Sequence, residues 1–243
     1  MTIRKHIPDT ITSMNLLCGV VGVILTLGGR VDLGFVMMIL GAVCDFFDGF
    51  AARMLKASSG IGKELDSLAD VVSFGVLPSV MLFVTGGSEI LIVKYFPIIL
   101  AAFSALRLAK FNLDERQHSG FLGLPTPAAA MVCGSLACLV HNSPDSSLAS
   151  WCEGPVFLPV LSLVLSLLLV SEIPMFSMKF GVGNKATKIE SIKRIAFLVV
   201  AAASIVVALI IGLHWSFAIL AAFTGYILIN LAFCHSERSE ESE

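Results

Sequence analysis

Four aspartates, Asp45, Asp48, Asp66 and Asp70, stand in the frame Asp45-x2-Asp48-Gly49-x2-Ala52-Arg53-x8-Gly62-x3-Asp66-x3-Asp70. The chain has only eight aspartates, and half of them lie here, within some of its most apolar sequence. An aspartate at a membrane helix centre costs about 2.5–3.5 kcal/mol, so something must neutralise four of them. Residues three and four apart share a helix face. Asp45, Asp48, Gly49 and Ala52 therefore line one face of one helix, and Gly62, Asp66 and Asp70 one face of the next. The link 56–60, with Ser58, Ser59 and Gly60, can turn the chain so that the faces meet. Carboxylates that close do not all ionise unless cations hold them. An oxygen-only donor set, with no His or paired Cys in the frame, favours Mg²⁺ or Mn²⁺ over Zn²⁺. Gly49 and Ala52 leave a slot beside the carboxylates, and two divalent ions next to such a slot suit a diphosphate. A nucleophile could then displace one phosphate, with catalysis by positioning and electrostatics. An intramembrane charge network or an ion path is the alternative, although neither needs the Gly, Ala and Arg positions.

The composition says what medium these helices occupy. The 243 residues are 56% hydrophobic and 14% charged, against about 25% charged in soluble domains, and the mean hydropathy is +0.91. Apolar runs of about 20 residues, enough to cross a bilayer, recur near 11–27, 33–55, 65–84, 90–110, 122–140, 156–178, 195–213 and 215–234. The expected fold is all-α, a polytopic membrane helix bundle of about eight transmembrane helices. A β-barrel would show short alternating segments instead. With both termini cytoplasmic, 14 of the 16 Lys and Arg residues fall on the inner side and only Arg30 and Lys94 on the outer side. This satisfies the positive-inside rule and puts the 45–70 region on the cytoplasmic side of a cell (inner) membrane. The basic residues are placed by topology, and nothing in them points to nucleic acid.

The first apolar run is too long for a signal peptide and lacks a small-residue cleavage site, so it reads as a retained span. The six cysteines form no C-x-x-C pair, and most lie in spans as small apolar residues. One membrane domain, 1–234, is expected, followed by a Ser/Glu tail, 235–243, too polar to bury a core and expected to be disordered. Pro97 and Pro174 are expected to kink their helices, and Glu172 to face the bundle interior or a lipid-access groove.

The aspartate frame resembles the signature of the CDP-alcohol phosphotransferase family, with every signature position present. That family consists of integral membrane enzymes that move a phosphatidyl or similar group from a CDP-linked donor to an alcohol. The resemblance implies that Asp45, Asp48 and Asp66 hold two divalent ions, Mg²⁺ or Mn²⁺. It makes Asp70 the completion of that site and the general base. Gly49, Ala52 and Gly62 would line the cytidine-diphosphate pocket, and Arg53 would support the nucleotide end or the local fold. Flanking stretches at 7–19, 65–78, 107–112 and 123–130 resemble the serine-using branch, although Asp9 stands where that branch more often has Asn. CDP-diacylglycerol, L-serine, the product CMP, the lipid bilayer and a homodimer are the implied partners.

A serine acceptor carries a carboxylate and calls for a cation. Arg107 and Lys110, three apart at the end of the fourth span, are the candidates, since planar Arg suits a carboxylate; both also satisfy the positive-inside rule. Asn112 could donate to the same groups. Asn15 could reach the nucleotide phosphates or make an interhelical hydrogen bond. Three rival functions remain: a sister transferase using glycerol-3-phosphate or an inositol phosphate, a metal-dependent prenyl transferase, and a divalent-cation carrier. Direct attack by the acceptor is preferred to a covalent phosphatidyl-enzyme.

Overall fold

No water is present in a bilayer core to satisfy backbone N–H and C=O groups, so apolar stretches of this length must satisfy them internally as helices. The computed structural model, which describes residues 3–55, 60–113, 121–175 and 188–240, is accordingly a helix bundle. The helix α1 (Ile3–Leu27) turns at Gly29, whose φ of +80° suits glycine, into α2 (Val31–Leu55). Helix α3 (Gly60–Asp70) continues through a π-helical turn, Val71–Val76, into α4 (Leu77–Thr85). The short α5 (Leu91–Tyr95) and a 3₁₀ turn at Phe96–Ile98 lead into α6 (Ile99–Leu113), so Pro97 does mark a change of helix type. Next come α7 (Thr126–Asn142), α8 (Ser147–Glu153) and α9 (Phe157–Val170), then α10 (Lys188–Ile211) and α11 (Ser216–Glu240). The last helix runs on through part of the Ser/Glu tract.

Among the described residues, six helical stretches are long and apolar enough to cross a membrane: His6–Leu27, Val31–Leu55, Gly60–Thr85, Leu91–Leu113, Ser191–Ile211 and Ser216–Phe233. The pair α8 and α9, bent by 82°, would make a seventh. Hydropathy led to an expectation of eight. The difference lies in the fifth and sixth stretches. Helix α7 has 17 residues. Helix α9 stops at Val170, well short of 178, because Ser171–Pro174 turns extended. Pro174 therefore does not kink a helix. It lies in β2 (Pro174–Met175), which pairs antiparallel with β1 (Phe121–Leu122). Proline lacks the N–H that a helix interior needs and biases the residue before it toward extended backbone.

The core is built around α7. Its run Ala128–Leu139 is buried throughout, and its small residues let neighbours approach closely. At Gly134 the Met38 and Phe35 side chains of α2 fill the space that a side chain would need. By contrast α10 is the least buried span, 11%, with Ile195, Leu198, Leu209 and Ile210 exposed. Trp151, Trp215 and Tyr95 sit half-exposed on or beside α8, α11 and α5, at the end of the bundle remote from the aspartates. Aromatics at such positions suit a membrane–water interface.

The π turn has a local cause. Pro78 has no N–H to return to the carbonyl of Phe74, four residues back. The ladder loosens just before it, and the Leu77 N–H donates to the Val72 carbonyl, five back. Such turns occur mostly as single units within α-helices and often at functional sites. This one follows Asp70 directly.

Candidate active site

Helices α2 and α3 bring Asp45, Asp48 and Asp66 together, with one carboxylate oxygen from each lying within 4.8 Å of the others. Oxygens bound to one octahedral ion at roughly 2.1 Å lie about 3–4 Å apart. This all-oxygen trio therefore fits one or two hard cations with little closing movement. Asp70, one turn further along α3, stands behind the trio, buried and within electrostatic reach of all three.

Helix α1 supplies the supporting contacts. The Thr12 hydroxyl donates to Asp48 Oδ2 at 2.6 Å. Asn15, wholly buried, donates from Nδ2 to Asp70 Oδ1 at 3.2 Å. The Ser73 hydroxyl, on the π turn, donates to the Asn15 backbone carbonyl at 2.9 Å. Thr12 and Asn15 are three apart and share one face, so a single face of α1 grips both a trio member and Asp70. Asn15 makes the interhelical bond foreseen as one of its two roles. Thr12 was not foreseen. Its position three before Asn15 was the signal that could have found it.

The close approach of α1 depends on Gly19. A Cβ there would stand 2.5 Å from Ser73 Oγ and 2.9 Å from Ser73 Cα. Since backbone cannot swing aside, Gly19→Ala should push α1 off the π turn. The expected cost is about 1–3 kcal/mol, read as a lowered Tm of the purified protein, with loss of catalytic activity as Asn15 leaves Asp70. An unchanged Tm and unchanged activity would refute the close-packing argument.

Gly49, Ala52, Arg53 and Gly62 line a cavity of about 270 Å³ together with Asp48 and Asp66. Pro8, Asp9, Thr12 and Lys63 complete its wall. Position 9, where this chain departs from the serine-using pattern, thus lies in the wall itself. Lys63, a cation beside the carboxylates, was missed by sequence reasoning, because a Lys near a helix start also fits topology.

The three residues expected near the acceptor diverge. Arg107 is buried, and its Nη1 donates to Thr126 Oγ1 of α7 at 2.9 Å. Its guanidinium lies over the Phe111 ring, 5.6 Å from the centroid, and within electrostatic reach of Asp70. Lys110 is half-exposed and pairs with Glu172 at 3.5 Å. Glu172 is itself exposed and at a rim rather than in the interior. Asn112 donates from Nδ2 to Ser67 Oγ at 2.9 Å and accepts at its backbone carbonyl from Lys63 Nζ at 3.3 Å. It thereby ties the end of α6 to the α3 helix that carries Asp66 and Asp70.

The fold and site together define an integral membrane helix bundle with a carboxylate cradle beside an open cavity. Consistent with that, the sequence model of the CDP-alcohol phosphatidyltransferase family matches residues 5–170, and the chain belongs to this family. It is 36% identical over 174 residues to a CDP-diacylglycerol–serine O-phosphatidyltransferase of Bacillus subtilis, covering 70% of this chain and 89% of that protein. A protein of the same name from Methanocaldococcus jannaschii is 32% identical over 174 residues, 71% of this chain and 75% of its own. An archaetidylserine synthase of Methanothermobacter thermautotrophicus is 31% identical over 135 residues, 53% of this chain and 56% of its own.

Proposed function

We propose that this chain transfers the phosphatidyl group of CDP-diacylglycerol to the hydroxyl of L-serine, giving phosphatidylserine and CMP. The reaction takes place on the cytoplasmic side of the cell membrane. The observation that carries the chemistry is the placement of Asp45, Asp48 and Asp66 within one ion's reach, beside the cavity that Gly49, Ala52 and Gly62 leave open. Serine as acceptor is supported by the names of the relatives.

Asp45, Asp48 and Asp66 would hold two divalent ions, Mg²⁺ or Mn²⁺, with Asp70 completing the site. Bound there, such ions would neutralise the diphosphate and the charge that develops on departing CMP. Gly49 and Ala52 would allow the diphosphate to lie against the α2 backbone, and Arg53, in the cavity wall, would support the nucleotide end or the local fold. Asp70, steadied by Asn15, takes the proton of the serine hydroxyl as its oxygen attacks the lipid-side phosphorus. One P–O bond forms to serine and the P–O bond to CMP breaks. Family resemblance further implies that the working unit is a homodimer.

Purified protein in detergent–lipid micelles with CDP-diacylglycerol and Mg²⁺ or Mn²⁺ tests this reading. Serine, glycerol-3-phosphate, inositol and inositol phosphate are supplied one at a time. CMP release with serine alone is the expected result. Release only with another acceptor would overturn serine but keep the transferase. Release with none, from folded protein loaded with metal, would sink the transferase and revive the cation carrier.

A further inference from the structure

Three hydrogen bonds close a ring between α3 and the last turn of α6. Lys63 Nζ donates to the Asn112 backbone carbonyl at 3.3 Å. Asn112 Nδ2 donates to Ser67 Oγ at 2.9 Å, and the Ser67 hydroxyl donates to the Lys63 backbone carbonyl at 3.3 Å. The carbonyl of Asn112 is among the last four of α6, which have no partner within the helix. Capping it would be use enough for a lysine at a helix end, but Lys63 also stands in the wall of the cavity of about 270 Å³. An ammonium carries three donors, and the Asn112 carbonyl takes one. The bond fixes a flexible side chain at the cavity wall and leaves it donors to spare.

The cavity wall has two tiers. Thr12, Asp48 and Asp66 make the inner one, since Thr12 bonds to Asp48, and Asp48 and Asp66 belong to the trio. Asp9 precedes Thr12 by three residues, Arg53 follows Gly49 by four, and Lys63 precedes Asp66 by three. These charged residues therefore make an outer tier one helical turn away, about 5.4 Å. Asp70 lies one turn from Asp66 in the opposite direction along α3. With Asp70 as base, the attacked phosphorus belongs at the inner end, and the departing nucleotide phosphate at the outer end, where Lys63 stands. Charge agrees with that placement. Two divalent ions would balance four carboxylates and leave the diphosphate uncompensated. The outer tier supplies positive charge, Arg53 and Lys63 against the single carboxylate of Asp9.

We propose that Lys63 binds the nucleotide-side phosphate of the donor, the one that departs as CMP, and that Asn112 is a positioning residue acting through Lys63. Asn112 thereby serves the donor rather than the acceptor. The inference rests on the transferase reading of this site, and not on serine as the acceptor. Neither residue occupies a position of the aspartate signature, so the contact is an addition made by this chain.

Calorimetric titration of CMP, and of CDP-glycerol as a soluble donor head group, into Mn²⁺-loaded protein in neutral detergent tests this without turnover. Lys63→Met keeps an unbranched apolar stem and loses the charge. It should weaken both nucleotides about tenfold, the size of one lost hydrogen bond to a charged group. Lys63→Arg, which restores the charge, should recover most of that loss. Mn²⁺ binding in the absence of nucleotide should not weaken in Lys63→Met, because a cation beside bound cations only repels them. Asn112→Ala, which opens the ring, should weaken CMP in the same direction but less. It should raise KM for CDP-diacylglycerol and leave KM for the acceptor unchanged. Nucleotide affinity unchanged in Lys63→Met, whatever its Tm, would make Lys63 a helix cap only and overturn the proposal. An effect of Lys63→Met that appears only when anionic lipid is added would assign the lysine to the membrane surface and overturn it too. A rise in acceptor KM alone in Asn112→Ala would return that residue to the acceptor and overturn its assignment. Wild-type protein that binds neither nucleotide in the presence of Mn²⁺ would overturn the transferase reading itself, a result distinct from any variant outcome.

Discussion

Asp70→Asn should reduce CMP release from CDP-diacylglycerol and serine by about 10²–10⁴-fold, the usual contribution of a positioned general base. The amide keeps the size of the carboxyl group and can still bond to Asn15, so the bundle should fold with an unchanged Tm. Because proton removal belongs to the transition state, kcat and kcat/KM should fall together, with KM for both substrates near wild type. Divalent-ion binding should weaken less than in a variant of the trio, because Asp45, Asp48 and Asp66 already lie together without it. The result that would end the assignment is a variant with intact Tm and intact metal binding that turns over within a few-fold of wild type. A variant that loses activity only because it no longer binds metal would move Asp70 from base to ligand.

The second large effect concerns the trio. Asp48→Asn should weaken Mn²⁺ binding by more than about 100-fold, since it removes a ligand rather than a supporting group. Thr12→Val, which deletes only the hydroxyl that holds Asp48 Oδ2 at 2.6 Å, should weaken it by about 10–100-fold, the common cost of losing a supporting hydrogen bond. Titration of Mn²⁺ into the purified protein, followed by the electron paramagnetic resonance signal of free ion, gives both numbers without turnover. Chelation of wild-type protein should abolish CMP release, and added Mg²⁺ or Mn²⁺ should restore it. Activity that survives exhaustive chelation, or equal Mn²⁺ binding by wild type and Asp48→Asn, would refute the cradle as a metal site. The ordering of the two variants is the sharper test, because a general loosening of the fold would affect both alike.

The two helices that carry the aspartates were legible because helical spacing is a local property. Residues 45, 48, 49 and 52 share a face whatever surrounds them, and so do 62, 66 and 70. Of the link read as a turn, residues 56–59 lie outside the described residues. The slot at Gly49 and Ala52 was legible as well, and both line the cavity, whereas Gly62 and Arg53 were tied to it only by the family resemblance. Asn112 was less legible. A polar residue at a helix end suits a ligand, a cap or a tie equally, and it is bonded to Ser67 on α3. Lys110 likewise had two sequence-level uses, and its ion pair with Glu172 adds a third. The sixth span was misjudged at its end because hydropathy runs through Ile173 and Met175 without registering that Pro174 ends the helical ladder.

By itself the sequence determined the class of protein: a polytopic helical membrane chain with four carboxylates on two facing helices and a family signature around them. Composition and short-range periodicity suffice for that, since they depend on the medium and on near neighbours along the chain. Only the tertiary structure decided which helix is central and which residues support the site. In lipid every apolar span satisfies its own backbone, so hydropathy cannot tell the buried α7 from the lipid-facing α10. Shape decides, through Gly19 against Ser73 and Gly134 against Phe35 and Met38. The same packing places Thr12 and Asn15 of α1 on Asp48 and Asp70, and Arg107 of α6 on Thr126 of α7. These partners are remote in sequence, and no local pattern encodes their meeting.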